Sequence, residues 1–230
     1  MGFSDVEVTA TLLSLKVAFW SSLLTLPLAI ALAWILARWY FPGKVLLDSL
    51  VHLPLVLPPV VVGYALLLTF GARGPLGALL QHYLGITLVF NWKGAVIASA
   101  VMALPLFVRA IRISFETADR KLEAAARCLG ASPWRVFLGV TLPLSLPGII
   151  AGAILGFARS LSEFGATITF VSNVPGETQT LPLAINTLIQ VPDGEPAALR
   201  LTAISLAIGF LALVFADRID LWLRRRMQRA

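Results

Sequence analysis

The chain has 230 residues, of which 58% are hydrophobic and only 13% charged, with a net charge of +6. Its mean hydropathy is +0.88, well beyond the roughly half-apolar balance of soluble domains. This excludes a soluble globular protein and predicts an all-α fold, a polytopic membrane helix bundle whose positive charge reports topology rather than nucleic-acid binding.

A bilayer core about 30 Å thick needs roughly 20 apolar residues per helical crossing. The first predicted crossing is Val17 to Ala37, a full-length stretch without a charge. Asp5 and Glu7 precede it in place of a basic stretch, and no small-residue cleavage site follows. It is therefore read as a retained helix, with the mature chain beginning near Met1. Lys16 at its start snorkels to the interface, or else attracts an anion.

The second crossing is Ser49 to Ala72, also of full length and interrupted only by His52. Pro54, Pro58 and Pro59 lie inside it; each removes a backbone donor. Two readings stand: a tolerated kink, or a broken helix that lines a path or gate with Pro58 and Pro59 at its break.

The third crossing, Gly94 to Val108, is shorter; Trp92, Lys93 and Arg109 at its ends reach the interface. The fourth, Val136 to Ala158, is again of full length and uncharged. Its Gly148, Gly152 and Gly156 form a doubled small-xxx-small pattern, which suits close helix packing inside the chain or across a dimer. Just beyond, Arg159 and Glu163 stand four apart on one helical face. They pin the helix end, or, with the hydroxyls of Ser160, Ser162, Thr167 and Thr169, they line a path for a weakly held oxyanion. Residues 177–191 are predicted as a short external helix or re-entrant piece. The fifth crossing, Leu201 to Ala216, is short like the third and is anchored by Trp222 and Arg224.

Five crossings give the basic residues a consistent side. Arg38 and Lys44, then Arg109 to Arg135 between crossings three and four, then Arg218 to Arg229, hold thirteen of the 18 basic residues. The positive-inside rule makes that side cytoplasmic. The N-terminus is then outside and the C-terminus cytoplasmic.

Several chemistries lack their residues. The single cysteine, Cys128, and the two distant histidines, His52 and His82, predict no metal site. Gly43-Lys44 is followed by Val45 and lacks the upstream glycine of a phosphate-binding loop. ATP and Mg, if used, belong to another chain, and this chain is expected to bind no cofactor. No Ser/His/Asp set supports a membrane hydrolase. A self-contained channel or carrier remains an alternative, weakened by the lack of an inverted repeat.

The loop 117–143 carries the densest local signals. Asp119 is a helix N-cap; Leu122, Ala125, Ala126 and Leu129 recur at i, i+3, i+4 and i+7. Glu123 and Arg127 form an i, i+4 pair, and Gly130 supplies a left-handed stop. Ser132 then caps a second helix that has Pro133 at its first position. The prediction is two stiff helical arms around a glycine corner, with the apolar face packed on the protein's own helices. A plain amphipathic connector on the bilayer is the alternative.

The run "EAAARCLGASPWRVFLGVTLP" resembles the cytoplasmic EAA signature of ABC-importer permeases. The register holds at Gly130, Leu142 and Pro143, with Val140 in place of the usual isoleucine and Glu123 one position early. The stretches "HLPLVLPPVVVGY" and "ATITFVSNVPGET" narrow the resemblance to molybdate permeases; tungstate and sulfate permeases share parts of "FARSLSEFGA".

The resemblance implies a single MetI-like permease domain over residues 1–230 in the bacterial inner membrane. It implies a homodimer with two cytoplasmic ATP-binding subunits and an external molybdate-binding protein. It also implies a coupling helix in which Glu123, Ala124, Ala125, Ala126, Gly130, Ala131, Leu142 and Pro143 meet the ATP-binding subunit.

Overall fold

The structure is a computed structural model and describes residues 4–227; all regular elements among them are helical. Helix α1 spans Asp5–Arg38, about 50 Å at 1.5 Å per residue. A capping box starts it: Ser4 Oγ accepts from Glu7 N at 3.3 Å, and Glu7 Oε2 accepts from Ser4 N at 2.7 Å.

The second expected crossing is not one straight helix. Helices α2 (Lys44–Val56) and α3 (Pro59–Phe70) meet at an angle of 115°. Pro58 and Pro59 have no N–H to give to the carbonyls of Pro54 and Leu55, so the helix cannot continue through them. A short helix that the sequence reading missed, α4 (Pro75–Leu84), follows.

Helix α5 runs Trp92–Thr117, so the third crossing extends well beyond the apolar stretch that ends at Val108. Its final turns carry Arg109 and Arg112 as helical residues, where the hydropathy reading ended the segment. Arg112 bonds Asp48 at 3.0 Å and Glu116 at 2.8 Å, and these partners make a charged last turn tolerable.

Then come α6 (Arg120–Cys128), α7 (Pro133–Val136), a π-helical turn (Phe137–Thr141) and α8 (Leu142–Leu161). From Pro133 to Leu161 these form one continuous span. The π turn has a local cause. Pro143 offers no donor, and Leu142 N reaches back five residues to Phe137 O, which widens the turn.

Helix α9 (Gly165–Val171), α10 (Leu181–Leu188) and α11 (Glu195–Met227) complete the chain. Within 177–191 the only helix is the eight-residue α10, too short to cross a bilayer. Its amide at Leu181 donates to the buried Ser14 Oγ at 2.6 Å, and Leu181 and Ala184 pack on Ala10 and Leu201. The five expected crossings thus become four continuous helices and one bent pair. Met1, Arg229 and the side chains of Trp222, Arg224, Arg225 and Arg226 lie outside the described residues.

Helix α5 is the bundle's axis, packing most extensively on α1 and α8. Toward the start of α1, Leu13, Val17, Val62, Leu66 and Phe170 form one core; toward its end, Ala33, Leu36, Phe107, Ile111 and Phe115 form another. The small-residue stripe of α8 belongs to this packing. A Cβ at Gly148 would run into Ser114 and one at Gly156 into the Phe107 ring, while Gly152 lies against Ile111. The glycines serve the α5–α8 contact inside the chain.

Candidate functional site

Two regions carry the sequence-predicted residues, and α1 and α8 connect them. The first is the corner around α6. Asp119 accepts from Lys121 N at 2.8 Å and Ser132 from Arg135 N at 3.4 Å, so both predicted caps form. Gly130 has φ +83°, and Ala131 N closes onto Ala126 O at 3.1 Å, a six-to-one bond that seals the helix end.

The orientation of α6 differs from the expectation. Leu122 is 49% exposed and Leu129 89%, and Ala125 is exposed beside them. The apolar face points away from the protein, and Glu123 points inward instead. Its Oε1 accepts from Arg38 Nη2 at 2.6 Å and from Thr141 Oγ1 at 2.9 Å. Glu123 therefore pairs with Arg38 and not with Arg127.

One carboxylate thus holds the end of α1, the middle of α6 and the π turn together. The widened turn carries Thr141, itself buried, into this contact. Phe137 completes the support, its ring 5.3 Å from Trp34 and 6.3 Å from Phe115. Leu142 packs in the same core, while Pro143 is exposed at the start of α8. Ala124 and Ala131 lie at the corner's surface, exposed and half-buried respectively.

The second region is where two helix breaks meet. A Cβ on Gly165 would come within 2.8 Å of Pro59 Cβ, and one on Gly63 within 2.6 Å of Ala166 O. Only glycines allow α3 and α9 to approach this closely. The α2–α3 break at Pro58 and Pro59 is thereby set against the α8–α9 break at Ser162 to Phe164. Its depth follows from α1. Ser160, just before the break, accepts from Ser21 Oγ at 2.9 Å. Ser21 is five residues, about 7–8 Å, below Lys16 along the helix. Lys16 Nζ sits 3.7 Å from the Trp92 ring centroid, a cation–aromatic pair suited to the interface.

At the break, Arg159 Nη1 and Glu163 Oε2 are 2.6 Å apart, and Glu163 is 2% exposed. Glu163 Oε1 also accepts from Ala166 N at 2.9 Å, which caps α9. The pair pins the helix end as the spacing suggests. Its carboxylate is enclosed, and its guanidinium remains one-quarter exposed.

The predicted hydroxyls divide. Ser160 is committed to Ser21 and Thr167 is buried, so neither lines a surface; Ser162 is exposed, its Oγ on Arg159 O at 3.0 Å. Thr169 bonds Gly165 O within its own helix. Pro58 and Pro59 are exposed.

Sequence reasoning missed Arg38 as the partner of Glu123, Asp48 as the partner of Arg112, and the Glu7 to Arg200 pair at 2.8 Å. These partners are 64 or more residues apart. The one available signal was that each charge borders an apolar stretch and needs a counter-charge there.

The comparisons with known proteins agree with this architecture. Residues 26–225 match the family described as "Binding-protein-dependent transport system inner membrane component". The chain is 58% identical to the "Molybdenum transport system permease protein ModB" of Escherichia coli strain K12, over 98% of this chain and 96% of that protein. It is 55% identical to the protein of the same description in Haemophilus influenzae, over 97% and 96%. Among solved structures, the MetNI methionine ABC transporter in inward-facing conformations superposes with a TM-score of 0.74 at 15% identity, over 96% of this chain and 99% of that one. The fold is therefore that of an ABC-importer permease, and the chain belongs to the family of binding-protein-dependent transport system inner membrane components.

Proposed function

We propose that the chain is the permease subunit of an ATP-driven molybdate importer. It works as one membrane domain in a homodimer with two cytoplasmic ATP-binding subunits, which hold ATP and Mg, and with an external molybdate-binding protein. The observation that carries this reading is α6. Its capped ends and the Arg38–Glu123–Thr141 clasp make it stiff, and its exposed Leu122, Ala125 and Leu129 give a partner something to bind. The 58% identity to the Escherichia coli molybdenum permease protein supports the substrate.

In this reading the ATP-binding subunit moves α6, with contacts at Ala124, Ala125, Ala126, Gly130 and Ala131. Glu123 passes the motion to α1, and the π turn, Leu142 and Pro143 pass it to α8. A ligand shifts a conformational equilibrium only by its differential affinity for the two states. A rigid corner converts that difference into helix displacement instead of dissipating it in a loop. The α6 end is cytoplasmic and the N-terminus external, in line with the basic residues.

The two apposed breaks form the gate. Pro58 and Pro59 on one side, and Ser162 with the partly exposed Arg159 on the other, offer an oxyanion a weak, partly neutralised contact. Weak contact suits a path, because tight binding would trap the ion. Glu163 sets how much of the Arg159 charge the ion meets, and Ser160 and Thr167 hold the surrounding helices.

The test is uptake into sealed vesicles that contain the chain, its ATP-binding subunit and the loaded binding protein. ATP-dependent accumulation of molybdate ahead of tungstate and sulfate is expected. Uptake driven by an ion gradient without ATP would reject an ABC permease, and a preference for sulfate would reject the substrate.

A further inference from the structure

The inverted orientation of α6 leaves a second question. Its apolar face is turned out toward a partner, so its polar face looks back at the bundle. Glu123 on that face is held by Arg38, yet Arg120 and Arg127, two helical turns apart, make no ion pair among the described residues. They overhang a cavity of about 540 Å³ that Arg38 and Glu123 also line. Among the described residues, three guanidinium groups and one carboxylate give it a net charge of +2. The Nε of Arg38 is enclosed and has no hydrogen-bond partner among the described residues.

This cavity continues into a second of about 500 Å³, and the two share Trp34, Trp39, Pro133 and Phe137 in their walls. The second has the opposite character. It runs up α1 along Pro27, Ile30, Ala31 and Ile35, and among the described residues no charged side chain lines it. Together they form one groove, cationic at the end of α1 and apolar along its membrane-embedded part. Trp34 and Trp39 line both halves where the character changes, and Trp134 lines the apolar one. Tryptophan favours the depth of lipid headgroups.

From this juxtaposition we propose that the groove binds an anionic phospholipid of the leaflet at the α6 end. Its phosphate sits between Arg120 and Arg127, and the upper part of an acyl chain lies along α1. Charge complementarity favours an anionic headgroup over a zwitterionic one, because two arginines without an ion pair among the described residues and an apolar slot are offered together. A free anion would satisfy the arginines but leave the apolar half empty. A second copy of the chain would have to bring both an acidic group and an apolar strip.

Such a lipid touches α1, α6 and α7 at once, next to the Arg38–Glu123 clasp. It braces the corner against the bundle, and lipid composition then tunes how stiffly α6 is held. Naming the leaflet as cytoplasmic rests on the orientation proposed above; the binding itself does not.

The test uses the full-length chain in vesicles of phosphatidylcholine containing a fifth phosphatidylglycerol. Native mass spectrometry after mild detergent release counts the lipids retained per chain. Retention of phosphatidylglycerol several-fold above its share of the bilayer is expected for the wild type. The double variant Arg120→Gln/Arg127→Gln should retain it in proportion to its abundance, and Arg73→Gln, remote from the groove, should behave as wild type. Bromine-labelled phosphatidylglycerol should quench tryptophan fluorescence more than bromine-labelled phosphatidylcholine, and Trp34→Phe should reduce the difference.

Equal retention of the two lipids by the wild type would overturn the proposal, as would an unchanged preference in the double variant. Loss of bound lipid on adding millimolar inorganic phosphate would assign the site to a free anion instead. Loss of the preference only when chains associate would assign the groove to a second copy. None of these readouts depends on transport, so failure here is distinct from failure of the importer reading.

Discussion

The corner around α6 and the paired breaks at Pro58 and Glu163 both interrupt helices, and they are built in opposite ways. The corner turns its apolar residues outward and closes on itself with one polar clasp, Glu123 to Arg38 and Thr141. The breaks turn their charge inward, with Glu163 at 2% exposure, and close by backbone contact at Gly63 and Gly165. The difference follows from what surrounds each. Water tolerates a charged helix, and a protein partner can cover its apolar face. A bilayer offers an exposed charge or an open carbonyl nothing.

The contrast can be broken at its strongest point. Glu163→Ala leaves Arg159 without its counter-charge and Ala166 N without its acceptor. About 2–3 kcal/mol of stability should be lost, as for hydrogen bonds to a charged group, less than for a fully buried pair because Arg159 stays one-quarter exposed. Thermal unfolding in detergent measures it, and Arg159→Ala/Glu163→Ala should recover part of the loss. A neutral single variant would mean that the pair is solvated and the break is not enclosed.

Packing comes next. Gly156→Leu forces the Phe107 ring aside and should cost about 3 kcal/mol, the upper end for overpacking. Adding Phe107→Ala should restore some of it. Absence of any rescue would indicate that the α8 stripe faces another chain after all.

The corner should respond differently. Glu123→Gln keeps a hydrogen-bond acceptor for Thr141 but loses the charge that holds Arg38, worth about 2 kcal/mol for a charge-assisted bond. The effect should be local: amide exchange should quicken in residues 120–128 and stay slow in α5. Uniform quickening would merge the two regions into one cooperative unit. Smallest is Ser160→Ala, which removes one bond between α1 and α8. About 0.6 kcal/mol is expected for a hydrogen bond between membrane helices, with uptake unchanged; a large loss of uptake would move Ser160 into the path.

The regions also differ in how far the sequence disclosed them. Asp119, Gly130, Ser132 and Pro133 act on backbone groups within a few residues, so their pattern was sufficient to predict the caps and the turn. Pro58 and Pro59 likewise mark a kink or a break, because a missing donor has its effect four residues away, but the prolines alone do not choose between the two. What remained hidden depends on distant partners. Nothing local says that Glu123 will meet Arg38, 85 residues earlier, rather than Arg127 on its own helix. The outward face of α6 escapes a sequence reading for the same reason: periodicity identifies an apolar stripe but not which neighbour covers it. Gly148, Gly152 and Gly156 declared a close contact, and only the fold could name α5 as the partner. Hydropathy also cut α5 short at Arg109, since a window that counts charges cannot see that the helix projects past the bilayer.

In the proposed importer, α6 transmits work between an ATP-binding subunit and the paired breaks. Gly130→Val is the sharpest probe of this, because φ +83° disfavours any side chain while no atom of the described residues lies within 4 Å of the added Cβ. The substitution should cost about 2 kcal/mol or more, because a β-branched side chain suits a left-handed position least, but the strain is confined to the exposed corner and leaves the bundle folded. The measurement is ATP hydrolysis by the reconstituted complex with and without the molybdate-loaded binding protein. Strong stimulation is expected for the wild type and little or none for Gly130→Val, with the ATP-binding subunit still present and the bundle still folded. Equal stimulation and equal molybdate uptake in the two would contradict it.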